Sequence, residues 1–398
     1  RDRSAWAEQL PHTLQDLAQR LDLTTLMADH LEDIKELILI PHLFLHQIPF
    51  AALPLGEGSG VREYLGDRFL IRYAPSCDLL RLCQERLPST ASPNTPGSYG
   101  IVSNATKDLV FTPLEAERVQ AIHQVQSQHH LQEDQAHANA YWKLLGQVQN
   151  LLSTHHAYSR VDDPLASALL LANSEITLRD LLRPGRKLNH LQEIMLSCCE
   201  TGLGFSAYQD EKGKLEVDRS DDFLSLGVGF LASGADAVIS SLWSVEDLAT
   251  TFFSILYHQY RKAGATRPAA IHQAQVFLRS QPMGELCRQC NIKDINTVLA
   301  EFSETVKAIL KALSQQDMEL RNNLRKRKKS ASVPEQAALT AEIDAEIKQL
   351  QQKRKRFGEI KSQLENLKNS LKNRLQSDRP FDHPQYWAAF RCEGLVGY

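Results

Sequence analysis

Between Tyr99 and Ala263 short apolar runs alternate with amphipathic stretches, and this alternation restricts the fold more than any other feature of the chain. The runs fall at 99–103, 151–154, 193–197 and 237–242, and the helical patterns at 113–126, 136–148, 223–233 and 245–263. Apolar runs of four to six residues are too short for helices and suit strands buried on both faces. Linked by helices, such strands predict an α/β fold with a mostly parallel sheet covered on both sides. In sheets of this kind the reactive residues sit beyond the carboxyl ends of strands. Two chemically interesting pairs, His155-His156 and Cys198-Cys199, directly follow the second and third runs.

The flanks add to this core. Leu10, Leu14, Leu17, Leu21, Leu26 and Leu31 keep helical spacing up to about Lys35, and 37–40 and 69–73 read as further strands. Ser76 is placed to cap a helix over 77–87, and the Pro, Ser, Thr and Asn residues of 88–98 mark a surface loop. We therefore expect an N-terminal half-domain over 1–98 and a catalytic core over 99–283. Beyond Ser280 the pattern changes. Phe302, Val306, Ile309, Leu313, Leu320 and Leu324 define one long helix. Ile343, Ile347, Leu350, Phe357, Ile360, Leu364, Leu367 and Leu371 form a heptad seam on a second. With a turn at Ser330–Pro334, these predict an antiparallel coiled-coil hairpin over 284–376, its longer arm ~60 Å at about 1.5 Å per residue. Globular character returns over 377–398, so the hairpin reads as an insertion before the last element of the core.

Composition excludes several function classes. Hydrophobic content of 42% and charged content of 23% fit a globular protein. No apolar run approaches the ~18–20 residues that span a bilayer, so no membrane partner is expected. Seven cysteines, an odd number with two adjacent, imply free thiols and a reducing compartment, the cytoplasm by default. A chain beginning at Arg1 reads as a fragment or a processed form. Net charge is −3, yet 321–374 holds fifteen Lys and Arg against six Asp and Glu, a local +9 that leaves −12 on the remainder. This basic arm reads first as a solvated helical face and second as a partner or nucleic-acid contact. The run Arg325 to Lys329 lacks the interleaved aromatics of a nucleic-acid site, so nucleic acid is not the expected partner. Cys287 and Cys290 have zinc-like spacing, but no second Cys or His pair lies close by, and no metal site is expected. Gly227-Val228-Gly229 lacks the Gly-Lys-Ser/Thr of a phosphate loop.

A thiol nucleophile needs an imidazole to activate it and backbone N–H groups to hold the developing oxyanion. A free thiol's pKa of about 8.5 leaves little thiolate at neutral pH, so the imidazole decides its reactivity. Cys199 ends one strand and opens a Glu-Thr-Gly loop; His156 ends another and precedes small Ala157. The N–H groups of Ala157 and Cys199 are the candidate oxyanion donors. On residue types alone, a Cys after a strand is as readily a small buried hydrophobe, and both readings stay open at this point.

The surrounding segments resemble the CHAT family, peptidases of the caspase and separase clan found with tetratricopeptide repeats. The matching stretches are Leu45-His46-Gln47-Ile48-Pro49-Phe50-Ala51-Ala52-Leu53-Pro54, Asp163-Pro164-Leu165-Ala166-Ser167-Ala168-Leu169-Leu170-Leu171 and Leu196-Ser197-Cys198-Cys199-Glu200-Thr201-Gly202. Further along come Gly229-Phe230-Leu231-Ala232-Ser233-Gly234-Ala235, Ser241-Leu242-Trp243-Ser244-Val245-Glu246-Asp247 and His383-Pro384-Gln385-Tyr386-Trp387-Ala388-Ala389-Phe390. They occur in family order. The resemblance implies a caspase-like fold and a cysteine endopeptidase with His156 as general base and Cys199 as nucleophile, needing no metal or organic cofactor.

The interval from His156 to Pro164 fits the family, and Cys199 immediately precedes Glu-Thr. Strand alternation would turn His155 and Cys198 to the opposite face. The family's His-Gly is His156-Ala157 here, which demands a negative φ. Substrate contacts are expected from Trp243, Glu246 and Asp247 after the following strand and from Asp163 after the histidine, with Asp247 foremost. A carboxylate there favours a basic residue before the cleaved bond, although Ser244, Glu246 and Asp247 equally resemble the first turn of a helix. The resemblance also implies a protein substrate, an upstream tetratricopeptide-repeat domain and an activating protein partner through the hairpin, and the His-His-Ala and Ser-Cys-Cys-Glu-Thr variants look like those of cyanobacterial members. A pseudoprotease scaffold that acts by binding, and a protease regulated by nucleic acid, are the rival readings.

Overall fold

The computed structural model describes residues 3–56, 63–86, 97–160, 162–197, 207–209, 215–217, 224–292, 295–328, 333–374 and 377–397. Cys198, Cys199 and the Glu-Thr-Gly that follows lie outside the described residues. The chain divides into two compact units, one of 1–291 with 378–398 and one of 292–377.

In the larger unit the strands are β1 (Glu36–Leu39), β2 (Leu70–Tyr73), β3 (Tyr99–Ser103), β4 (His130–Gln132), β5 (Asn150–Thr154), β6 (Ala157–Tyr158), β7 (Ala168–Leu171), β8 (Ser174–Thr177), β9 (Glu193–Leu196), β10 (Ala207–Gln209), β11 (Leu215–Val217), β12 (Ala237–Ser241) and β13 (Phe390–Gly394). Eight of them form one sheet in the order β1-β2-β13-β12-β9-β5-β3-β4. From β4 to β12 every neighbouring pair is parallel. Direction reverses once, between β12 and β13, after which β13, β2 and β1 run parallel to one another. The expected mostly parallel sheet is therefore present. The N-terminal strands β1 and β2 continue this same sheet, joined to it through β13 near the other end of the chain. Strands β6, β7 and β8 make a small antiparallel sheet directly after β5, and β10 and β11 pair as an antiparallel ribbon.

The helices of the larger unit are α1 (Arg3–Arg20), α2 (Leu23–His30), α3 (Leu65–Arg68), α4 (Cys77–Arg86), α5 (Thr112–His123), α6 (Ala138–Leu145), α7 (Leu178–Leu181), α8 (Leu226–Ser233), α9 (Asp247–Lys262), α10 (Arg267–Ser280), α11 (Met283–Gln289) and the short α14 (Pro384–Trp387); the smaller unit holds α12 (Ile295–Lys328) and α13 (Val333–Arg374). The helical spacing to Lys35 resolves into two helices because Asp22 takes a left-handed φ of 46°, which ends α1 and starts α2. Ser76 Oγ accepts the Leu79 N–H at 3.1 Å at the start of α4, as an N-cap does.

Successive strand residues point to opposite faces. Val102, Leu151, Ile194, Leu196 and Val238 enter a core with Tyr141, Leu144, Leu178, Leu226 and Phe230 of α6, α7 and α8. The alternate residues face α5, α9 and α10. There Ser254 Oγ lies 3.8 Å from Met195 Sδ, and Phe253 stacks on Phe390 with centroids 3.7 Å apart. All residues of β9, β12 and β13 are buried, including Glu193 of β9 and the paired Arg391 and Glu393 of β13. At the amino end of β9, Glu193 is buried and accepts from Tyr257 Oη at 2.8 Å, Arg267 Nε at 2.8 Å and Arg261 Nε at 3.2 Å. Burial alone would raise this carboxyl, but the two guanidiniums outweigh it and hold Glu193 down to about 2.

In the smaller unit α12 and α13 pack on each other. Val306 of α12 and Ile347, Ile360, Leu364 and Leu371 of α13 are buried, with Leu350, Phe357 and Leu367 half-buried, so the heptad positions form the apolar stripe. No helix among the described residues is long and apolar enough to cross a membrane.

Candidate active site

The carboxyl end of β5 carries the first candidate. Alternation continues past the strand, so His155 and His156 turn to opposite faces. His155 is buried, and its Nε2 lies 2.8 Å from Ser153 Oγ, itself 2.9 Å from Tyr141 Oη. Its Nδ1 donates to the His156 carbonyl at 3.0 Å, so Nε2 is the acceptor of the Ser153 hydroxyl. Burial lowers this imidazole to about 4 and keeps it neutral. The His156 carbonyl also accepts the Leu170 N–H at 2.8 Å. His155 and β7 thus fix the backbone from which His156 projects.

His156 is partly open, its side chain 31% exposed, and its Nε2 lies 3.1 Å from Asp108 Oδ1. Asp108 belongs to the loop after β3, the strand beside β5. Nothing in the sequence reading pointed to this residue. The only available signal was position: a polar Thr106-Lys107-Asp108 run beyond the carboxyl end of a strand adjacent to the histidine's strand. The loop is well held. Asn104 N–H donates to the Thr154 carbonyl at 2.9 Å, Asn104 Oδ1 accepts Leu109 N–H at 3.2 Å, and Thr106 Oγ1 donates to Asp108.

Asp247 is the first residue of α9, so the helix-start reading of Glu246 and Asp247 applies, with Glu246 as the N-cap. Asp247 also reaches the histidine's surroundings. Its Oδ2 accepts Phe111 N–H at 3.0 Å. Burial pushes its carboxyl up to about 6, against the opposing pull of the Phe111 and Val110 N–H groups and of His156. A narrow cleft of about 50 Å³ lies between these elements, lined by Leu109, His155, His156, Ser197, Ser241, Asp247 and Phe390 among others. Ser197 stands two residues before Cys199 at the end of β9.

A buried carboxyl lies against the end of β5. Glu115 of α5 is 1% exposed and accepts Thr154 Oγ1 at 2.6 Å. Burial raises it to about 7, opposed by the Thr154 hydrogen bond and the nearby Ser254 and Ser197 hydroxyls, while nearby Asp247 adds to the rise.

Ala157 starts β6 and is not among the described residues with positive φ, so its methyl imposes no backbone strain. Trp243 donates its indole N–H to the Gln385 carbonyl at 2.9 Å and meets Trp6 edge-on at 5.3 Å. Asp163 opens the single turn Pro164–Ala166, its carbonyl accepting Ala166 N–H at 2.9 Å. Trp243, Glu246 and Asp163 are not among the described residues lining the cleft. Cys290, the second thiol of the zinc-like pair, is buried with Sγ 4.0 Å from the Phe252 carbonyl, and burial pushes its pKa up. Among the described residues no group of three or more His, Cys, Asp or Glu is arranged to hold a metal ion.

A family model described as the CHAT domain matches residues 11–395, nearly the whole chain. The chain belongs to the CHAT domain family. This match runs across both units, so the two long helices fall within it. No curated protein matches the CHAT chain in sequence. Among solved structures it is similar to the Saccharomyces cerevisiae separase–securin complex, with 14% identity and a TM-score of 0.41 over 65% of this chain and 15% of that one. It is also similar to the Arg-specific cysteine proteinase gingipain R, with 8% identity and a TM-score of 0.42 over 66% of this chain and 62% of that one. The CHAT chain therefore spans less than two thirds of the length of either.

Proposed function

We propose that this CHAT domain is a caspase-like cysteine endopeptidase in which Cys199 is the nucleophile and His156 the general base. The observation that carries the reading is the position of His156. It projects, partly open, from the carboxyl end of β5 into a cleft it shares with Ser197, two residues before Cys199 on the neighbouring strand end. Parallel strands lie about 4.8 Å apart, so adjacent strand ends bring a thiol and an imidazole within reach.

In this reading His156 takes the Cys199 proton, and the thiolate attacks the peptide carbonyl carbon. The N–H groups of Ala157 and Cys199 receive the oxyanion. Collapse of the tetrahedral intermediate breaks the C–N bond, the leaving amine takes the proton from His156, and water then hydrolyses the thioester. Asp247 supports a basic residue before the cleaved bond, since it lines the cleft and, with its carboxyl near 6, is ionised at neutral pH. Trp243, Glu246 and Asp163 would act farther along the bound peptide. The substrate is a protein, and the coiled-coil pair α12–α13 would receive an activating protein partner, with a tetratricopeptide-repeat domain upstream in the full protein.

The test is turnover of fluorogenic peptides bearing Arg, Lys or Ala before the reporter, for wild type, Cys199→Ala and His156→Ala. Loss of cleavage by at least about 10³-fold in both variants, with Arg or Lys preferred over Ala, is expected. Equal turnover in all three proteins would refute the reading.

A further inference from the structure

As a general base His156 would use one ring nitrogen, and the other must be held by a partner. In a neutral imidazole one ring nitrogen carries the proton and the other accepts, and the hydrogen bond made by the first sets which is which. We propose that Asp108 is the positioning residue that holds His156 as the Nε2–H tautomer, leaving Nδ1 to exchange protons with the thiol and the leaving amine. The proposal rests on the peptidase reading for its chemistry but on geometry for its substance.

Asp108 Oδ1 lies 3.1 Å from His156 Nε2, and the Asp108 side chain is only 9% exposed. An ionised carboxylate can only accept hydrogen bonds, so His156 Nε2 donates. That leaves the Nδ1 lone pair as the proton acceptor. The same bond stabilises the imidazolium that forms once the thiol has given up its proton.

The loop carrying Asp108 is built to keep it there. Asn104 and Lys107 both take left-handed conformations, with φ of 46° and 62°. Asn adopts this region readily, whereas for Lys it is uncommon and costs energy. Lys107 is held in place by an ion pair of its Nζ to Asp134 Oδ2 at 2.5 Å, from the segment after β4. That segment also takes a left-handed residue, Glu133, with φ of 51°. On the other side, Asp247 of α9 accepts the Phe111 N–H three residues beyond Asp108. Two elements thus grip the loop on either side of the carboxylate, and Thr106 Oγ1 donates to the carboxylate itself. Unfavourable backbone retained under such constraint is commonly found at functional positions.

The proton path then balances. Cys199 Sγ–H gives its proton to His156 Nδ1, the imidazolium keeps its Nε2–H on Asp108, and Nδ1 returns its proton to the amine as the C–N bond breaks. Asp108 holds no proton at any step.

Asp108→Asn discriminates this role from a structural one. An amide placed at the same point can donate to Nε2, which moves the imidazole proton to Nδ1 and blocks the base. Histidine ¹⁵N chemical shifts measured in a Cys199→Ala background, with His156 assigned by its loss in His156→Ala, read the tautomer without any turnover. The Nε2–H form is expected with Asp108 and the Nδ1–H form with Asp108→Asn. Peptide turnover should fall by about 10²–10⁴-fold in Asp108→Asn with KM little changed, and Asp108→Glu should recover part of it. An Nδ1–H tautomer with Asp108 present, or the same tautomer in both proteins, would overturn the proposal. If Cys199→Ala and His156→Ala abolish turnover while Asp108→Asn retains it, Asp108 fails and the peptidase reading stands. If wild type shows no turnover yet the tautomers differ as expected, the peptidase reading fails and the positioning role stands.

Discussion

Replacing Glu115 by Gln should change how the stability of the larger unit depends on pH. Glu115 sits under the cleft, bonded to Thr154 at the end of β5, and burial raises it from an ordinary 4.5 to about 7. A raised folded-state carboxyl binds its proton more tightly than the unfolded chain does. Its stabilising contribution is therefore complete below about pH 4.5 and is lost as pH rises to about 7. At 1.36 kcal/mol per pH unit the loss is on the order of 3 kcal/mol. Glu115→Gln keeps the shape and stays neutral, so any cost of its altered hydrogen bonds is the same at every pH. Asp236, raised to about 6, and His123 and His155, lowered to about 4, titrate in both proteins and cancel in the difference. Asp247 is the exception: at high pH it is relieved of a like charge in the variant, which adds in the same sense. Trp6, Trp142, Trp243 and Trp387 all lie in the larger unit, so tryptophan fluorescence during urea unfolding reports that unit alone. Relative to wild type, Glu115→Gln should gain on the order of 3 kcal/mol between pH 5 and pH 8. A difference that stays constant to within about 0.5 kcal/mol over that range would refute a buried carboxyl ionising there.

Three further outcomes follow from packing. Arg267→Met strips buried Glu193 of one of its two guanidinium partners and should cost about 3 kcal/mol in urea unfolding; Glu193→Gln in the same protein should recover part of that, and a double variant no better than the single one would contradict the account. Gly394→Ala should destabilise by about 2 kcal/mol or more, because φ is +96° and an added Cβ would stand 2.5 Å from the Asp236 carbonyl; an unchanged midpoint would count against it. Trp243→Phe should cost about 1 kcal/mol through the lost bond to Gln385, and a large drop in peptide turnover at unchanged stability would instead assign Trp243 to the substrate.

Much of the sheet was legible because β3, β5, β9 and β12 are short, mostly apolar runs. The 99–103 run is β3 to the residue, and those at 151–154, 193–197 and 237–242 differ from β5, β9 and β12 by one residue at an end. Periodicity reports burial, and strands buried on both faces give the strongest signal of it. It cannot report which strand lies beside which. The place of β13 between β12 and β2 brings Glu393 beside Tyr73, a pairing no local pattern encodes. The histidine's surroundings divide the same way. Opposite faces for His155 and His156 follow from alternation alone, whereas Asp108 reaches His156 across 48 residues through a loop without periodicity. Asp247 was read both as a helix start and as a substrate contact; it begins α9 and lines the cleft beside His156.

The position of β13 has a consequence for what a cut would do. The last strand of the larger unit follows residues 292–377 in sequence, yet it fills an interior slot, hydrogen-bonded to β12 on one side and reaching β2 on the other. Phe390 on Phe253, buried Trp387 and the Arg391–Glu393 pair anchor it by contacts that do not pass through the long helices. Nicking the chain between α12 and α13 would therefore release nothing from the sheet. The product would be a noncovalent two-chain protein in which the C-terminal peptide, α13 with β13, serves as the keystone. Such a peptide, supplied in trans to a chain lacking it, would make a fragment-complementation reporter of when this sheet has closed.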